Sequence, residues 1–145
     1  MLYFDTSFVI PFILPEPTSN LVERFLARIR SEALAISHWT SVEFSSMLAR
    51  RVRMGEIDQD SARDADKQFA AVATQSFMVL LPTAADFRLC RDYLRHYETG
   101  LRAGDALHLA IASNHGAKAI YSLDRGLLRA GRLLGLPVQR GVRLP

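Results

Sequence analysis

Cysteine is nearly missing from this chain of 145 residues, which carries one, Cys90. A single thiol excludes an internal disulfide and fits a reducing compartment. Its place on an apolar helical face also argues against a thiolate nucleophile. Lysine is almost as scarce, since only Lys67 and Lys118 stand among 18 basic residues. No glycine-rich phosphate loop is present, and the four histidines (His38, His96, His108, His115) include no pair at the i, i+4 spacing of two zinc ligands on one helix. No apolar run approaches the length of a membrane span. The chain opens on Leu2-Tyr3-Phe4, a strand-like run without the basic segment of a secretory leader, so a cytoplasmic protein is expected. Repeats, low-complexity tracts and linkers are also lacking, and one domain covering residues 1–145 is expected.

What is present fits a folded enzyme-sized domain. The apolar fraction of 49% and charged fraction of 23% are ordinary for a globular protein, and the length suffices for a sizeable core. The net charge is +3, carried mainly by arginine. Arginine's planar fork suits phosphate recognition, although an arginine bias of genomic origin would look the same.

Hydrophobic patterning predicts an α/β fold. Strands are expected at residues 2–5, 34–37, 77–81 and 119–123, with Val138-Gln139 as an edge strand. Helices are expected at residues 7–14, 20–30, 40–54, 61–75, 84–97, 105–115 and 125–134. Asn20 and Glu23 have capping-box-like spacing, Pro15 and Pro17 stop the first helix, and Gly55 and Gly116 suit helix C-termini. Strands alternating with helices imply a mainly parallel sheet covered on both faces. The two consecutive helices over residues 40–75 are expected to form a protruding arm.

Four acids, Asp5, Glu43, Asp105 and Asp124, fall where a strand ends or a helix begins. Each has a local explanation. Asp5 and Asp124 suit helix caps, Glu43 has capping-box spacing from Thr40, and Asp105 complements a helix dipole. Caps alone do not explain why all four suit the carboxyl edge of one parallel sheet, where such folds place ligands. Carboxylates gathered there repel one another unless a cation joins them. All-oxygen ligation favours Mg²⁺ or Mn²⁺ over zinc, which points to a metal-dependent enzyme acting on phosphate esters.

The motifs around these acids resemble those of PIN-domain ribonucleases. Leu2-Tyr3-Phe4-Asp5-Thr6-Ser7 is similar to the opening strand and turn, and Thr40-Ser41-Val42-Glu43 to the second acidic motif. The run from Leu101 to Ala110, centred on Gly104-Asp105-Ala106, is similar to the third, and Tyr121-Ser122-Leu123-Asp124 to the fourth. The match spans nearly the whole chain, and its size resembles the VapC toxins of toxin–antitoxin pairs. The resemblance implies a PIN-like fold and Mg²⁺- or Mn²⁺-dependent endoribonuclease activity. It also implies a VapB-type antitoxin, a homodimer, and contact with promoter DNA only through the antitoxin complex. Asp5, Glu43, Asp105 and Asp124 would be the catalytic, metal-binding acids. Thr6 and Ser122 would support a carboxylate, a water or the scissile phosphate; Ser122 stands where the family often has threonine. Arg102 and Arg125, next to two of the acids, are candidate grips on RNA or partners of the acids, and Arg50, Arg51 and Arg53 could extend a basic surface.

Two other functions compete. A catalytically inactive PIN-fold module binding RNA or an antitoxin would keep the fold but has no reason to keep four mutually repelling acids. A phosphatase using Asp5 as nucleophile would need a second aspartate where Ser7 stands, and a well-placed lysine. His108 and Trp39 read as packed side chains, and Asp58, Asp60, Asp64 and Asp66 as a solvated helical face.

Overall fold

The computed structural model describes residues 1–29 and 34–143. Alternation along short apolar strands divides the interior into two cores. Five strands, β1 (Leu2–Phe4), β2 (Leu34–Ser37), β3 (Met78–Leu80), β4 (Ala119–Tyr121) and β5 (Val138–Gln139), form one sheet in the order β3-β2-β1-β4-β5. Every pairing is parallel. Phe4, Leu34, Ile36, Ala119 and Tyr121 point to one face. They meet α1 (Thr6–Ile13), α2 (Ser19–Leu26), α3 (His38–Arg53) and α4 (Gln59–Ser76) there. Tyr3, Ala35, Leu80, Ile120 and Val138 point to the other, against α5 (Ala84–Leu94), α6 (Ala103–Asn114) and α7 (Arg125–Leu133). The expected α/β architecture is therefore the observed one.

The chain winds outward from β1 through β2 to β3, then returns to lay β4 on the other side of β1. A parallel sheet that reverses direction in this way opens a crevice at the carboxyl ends of the two strands flanking the reversal. Asp5 follows β1 and Ser122 follows β4, so both residues stand at that crevice.

Several boundaries differ from the sequence reading, and capping explains most of them. α3 starts at His38 because Ser37 forms a capping box with Thr40, whose hydroxyl accepts the Ser37 N–H at 3.3 Å. Thr40 is thus satisfied inside the helix, and Glu43 has no part in a cap. The Asn20–Glu23 box does not form either: α2 begins at Ser19, whose hydroxyl bridges the Glu16 N–H and the Leu14 carbonyl. The expected end of that helix, Arg30, lies outside the described residues. Asp58, read as part of a solvated face, caps α4 through the Ser61 N–H at 2.7 Å. α5 stops at Leu94, and a single 3-10 turn (Tyr97–Thr99) ends at Gly100 with φ of +67°. Tyr97, which extends the apolar stripe in the sequence pattern, is 85% exposed.

The expected arm is anchored along much of its length. Phe44 and Leu48 of α3 and Ala65, Phe69 and Ala73 of α4 are buried in the first core, with the Phe44 and Phe69 rings stacked 4.5 Å apart. Only the connection around Arg53–Asp58 stands largely exposed.

Candidate active site

Asp5 ends β1 in an extended conformation and caps α1, accepting the Phe8 N–H at 3.1 Å on Oδ1. The same oxygen takes the Ser7 hydroxyl at 2.7 Å, and Oδ2 takes the Ser122 hydroxyl at 2.6 Å. Burial pushes the Asp5 carboxyl above the ordinary aspartate range, against the lowering influence of His108 and these donors. Ser7 also accepts the backbone N–H groups of Leu123 and Asp124, at 2.9 and 3.2 Å. It thereby clamps the turn after β4 to the turn after β1. That role was missed in the sequence, where Ser7 entered as the last residue of the first motif and as the place where a phosphatase would need an aspartate.

Glu43 sits on the second turn of α3 and reaches toward α1 and α6. Its Oε2 accepts the Thr6 hydroxyl at 2.5 Å and lies 2.5 Å from Nε2 of His108. Burial would raise its pKa, but the His108 hydrogen bond and charge, then the Thr6 hydroxyl, hold it below the ordinary glutamate range. Oε1 lies against Gly104, where an added Cβ would stand only 2.5 Å away. The Trp39 indole N–H is buried without a hydrogen-bond partner among the described residues.

His108 is 1% exposed, as its apolar neighbours suggested, yet it is no apolar filler. Besides Glu43 it meets Tyr3 Oη at 2.8 Å through Nδ1 and the Thr6 hydroxyl at 3.1 Å. The available signal was its place one helical turn after Asp105, on the face that carries that acid.

Asp105 lies in the first turn of α6, half-buried. Burial, then the charges of Asp124, Asp5 and Glu43, push its carboxyl up to about 6. The four acids are therefore electrostatic neighbours. Asp124 caps α7 through the Leu127 N–H at 2.8 Å, and its own N–H donates to the Ser122 hydroxyl at 3.0 Å.

The basic residues divide. Arg51 pairs with Glu16 at 2.7 Å and leaves the candidate basic surface. Arg102 and Arg125 are exposed and, among the described residues, form no ion pair with the acids. Arg50 and Arg53 line a cleft of about 450 Å³ with Trp39, Val42, Ser46 and Met47, which reaches Glu43 and Gly104.

The donor set suits a hard divalent cation. It consists of carboxylate and hydroxyl oxygens, and the negative charge crowded around Asp105 is what a bound cation would relieve. Among the described residues no three acidic, histidine or cysteine side chains already form a metal-sized cluster. The reason is visible in the hydrogen bonds: Asp5 is turned to Ser7 and Ser122, Glu43 to Thr6 and His108, and Asp124 to the α7 amide.

The PIN domain profile matches residues 2–133 of this chain. The chain belongs to that family. Its fold is shared with VapC20 of Mycobacterium tuberculosis, described as a toxin that cleaves the sarcin-ricin loop. The two are 21% identical with a TM-score of 0.73, over 90% of this chain and 95% of that one. FitAcB from Neisseria gonorrhoeae is 20% identical with a TM-score of 0.69, over 97% and 98% of the chains. VapBC2 from Rickettsia felis, solved on a fragment of its promoter, is 13% identical with a TM-score of 0.67, over 96% and 98%. No curated protein sequence matches the chain significantly.

Proposed function

We propose that this protein is a Mg²⁺- or Mn²⁺-dependent endoribonuclease, the toxin of a toxin–antitoxin pair. The observation that carries the reading is the gathering of Asp5, Glu43 and Asp124 around Asp105 at the switch point, where burial first and then these charges push Asp105 up to about 6. Such crowding opposes folding and has an evident use if a cation is to be held there. Membership of the PIN family and a fold shared with a toxin described as cleaving the sarcin-ricin loop support the substrate class.

Asp5 and Asp105 are the direct ligands in this reading, Glu43 holds metal or orients water, and Asp124 completes the site through water or a second ion. A bound ion would lower the pKa of a coordinated water and polarise the phosphoryl oxygen. Ser122 and Thr6 keep the Asp5 and Glu43 carboxylates aimed by donating to one oxygen of each. Arg50 and Arg53 line the path by which an RNA strand approaches Glu43, and the exposed Arg102 and Arg125, close in sequence to Asp105 and Asp124, are further candidate grips. Attack by water on phosphorus, with departure of the ribose 3′ oxygen as a hydroxyl, leaves a 5′-phosphate. An antitoxin partner is supported by the VapBC neighbour; promoter DNA would be met through that complex, and a homodimer completes the assembly.

The test is cleavage of a mixed tRNA and structured-RNA pool with Mg²⁺, Mn²⁺ or EDTA, by wild type and by folded Asp5→Asn and Asp105→Asn variants. Lewis-acid stabilisation is worth several kcal/mol and each 1.36 kcal/mol is tenfold, so each variant should lose about 100-fold or more in rate. Equal cleavage in EDTA, or a 2′,3′-cyclic phosphate product, would sink the proposal.

A further inference from the structure

Glu43 is held from behind by a chain of hydrogen bonds that crosses the sheet, and with a neutral His108 its members have one consistent arrangement of protons. The Thr40 backbone N–H donates to the Ser37 hydroxyl at the start of α3. Ser37 Oγ lies 2.8 Å from Tyr3 Oη, which lies 2.8 Å from His108 Nδ1. His108 Nε2 meets Glu43 Oε2, the oxygen that also takes the Thr6 hydroxyl. An ionised carboxylate can only accept, so Nε2 must carry the proton. In the neutral ring Nδ1 then accepts, and Tyr3 must donate to it while accepting from Ser37.

We propose that His108 is a positioning residue for Glu43. With Nε2–H given to Glu43 and Nδ1 satisfied by the Tyr3 hydroxyl, it commits Oε2 of Glu43 to the protein and leaves Oε1 as the oxygen offered to the site. The proposal rests on the nuclease reading of that site, and the geometry supplies what is specific to it. Tyr3, Ser37 and His108 are all at most 1% exposed, so water cannot substitute for any link. Gly104 leaves Oε1 the space it occupies, so the carboxylate is fixed on one side by donors and free on the other. The relay also ties four elements together, since it runs from the end of β2 through β1 to α6 and returns to α3. A histidine kept only for packing would need none of these partners.

The experiment compares the metal-free wild type with His108→Leu, His108→Gln and Tyr3→Phe, each first shown to be folded by circular dichroism and thermal melting. Mn²⁺ binding is measured by calorimetry, and the histidine tautomer by long-range ¹H–¹⁵N NMR. Loss of an outer partner of a metal ligand typically costs about 10- to 100-fold in metal affinity, and His108→Leu should weaken Mn²⁺ binding within that range. Glutamine can place an N–H near the position of Nε2, so His108→Gln should recover most of the affinity. Wild-type His108 should show the Nε2–H tautomer, and Tyr3→Phe, which strips Nδ1 of its donor, should lose part of the Mn²⁺ affinity. Unchanged Mn²⁺ affinity in folded His108→Leu would overturn the positioning role while leaving the nuclease reading in place. So would a wild-type Nδ1–H tautomer. A wild type that binds no Mn²⁺ would overturn the site reading itself, and the role with it.

Discussion

A methyl group at Gly104 would stand 2.5 Å from Oε1 of Glu43 and 3.6 Å from the Trp39 ring. Gly104 has ordinary helical backbone in the first turn of α6, so what it supplies is room for a carboxylate. Gly104→Ala should therefore separate two properties that usually fall together. Alanine is a better helix former than glycine by up to about 1 kcal/mol, so the melting temperature should hold or rise. Glu43 must swing aside, so Mn²⁺ affinity and RNA cleavage should fall, as calorimetry and a cleavage assay would show. Unchanged affinity would mean that Oε1 is not used. At this scale the sequence displayed the acids clearly, because strand ends and helix starts are legible in hydrophobic patterning. It hid Ser7, Tyr3 and His108, whose importance comes from partners 34 to 117 positions away in the chain.

Among the elements, α3 carries the most of the proposed function. It presents Phe44 and Leu48 to the core, Glu43 to the acids, and Arg50 and Arg53 to the cleft beside them. The adjacent Arg51 faces elsewhere and pairs with Glu16, as a helix turning about 100° per residue requires. Replacing Arg50 and Arg53 together by alanine should weaken RNA binding similarly across sequences. It should also reduce the slope of log affinity against log salt by roughly 0.7 for each single-strand phosphate that is no longer neutralised. Arg51→Ala should leave that slope alone. Filter binding or anisotropy across a salt series would decide, and an unchanged slope in the double variant would remove the cleft from the RNA path. The helix itself was legible in the sequence. Its first turn was not, because the apolar pattern starts late and the cap that sets the start is a strand residue, Ser37.

For the whole molecule, the crowded acids make folding and ion binding depend on pH together. Asp105 is raised by burial and by three neighbouring acids from 3.8 to about 6, so the folded protein binds this proton more tightly than the unfolded chain does. Its contribution to stability is therefore present below pH 3.8 and is lost as pH rises through about 6. Asp5 acts in the same direction, and Glu43, held low, in the opposite one. A divalent ion should reverse the loss, because it competes with the proton for the same oxygens. At about 100 times its dissociation constant an ion adds about 2.7 kcal/mol, which for a domain of this size is roughly 5–10 °C. That gain should appear at pH 7.5 and shrink markedly at pH 5.5, as thermal melts with and without Mn²⁺ would show. Equal gains at both pH values would argue that Asp105 does not face the ion.

The sequence by itself determined the α/β class, the succession of elements and the family. Strand and helix periodicities are local, and the acidic motifs stand in the right order along the chain. It also foresaw that Asp5 and Asp124 would serve as caps, since an N-cap is satisfied within three residues. What the tertiary structure alone decided is how the acids are held. The return of the chain from β3 to β4 brings Ser122 onto Asp5 across 117 positions and His108 onto Glu43 across 65. Each of these hydroxyls and rings is an ordinary buried residue in the sequence. They act together because a parallel sheet gathers the ends of distant strands at one edge, and because a buried polar atom must find a partner wherever the fold provides one.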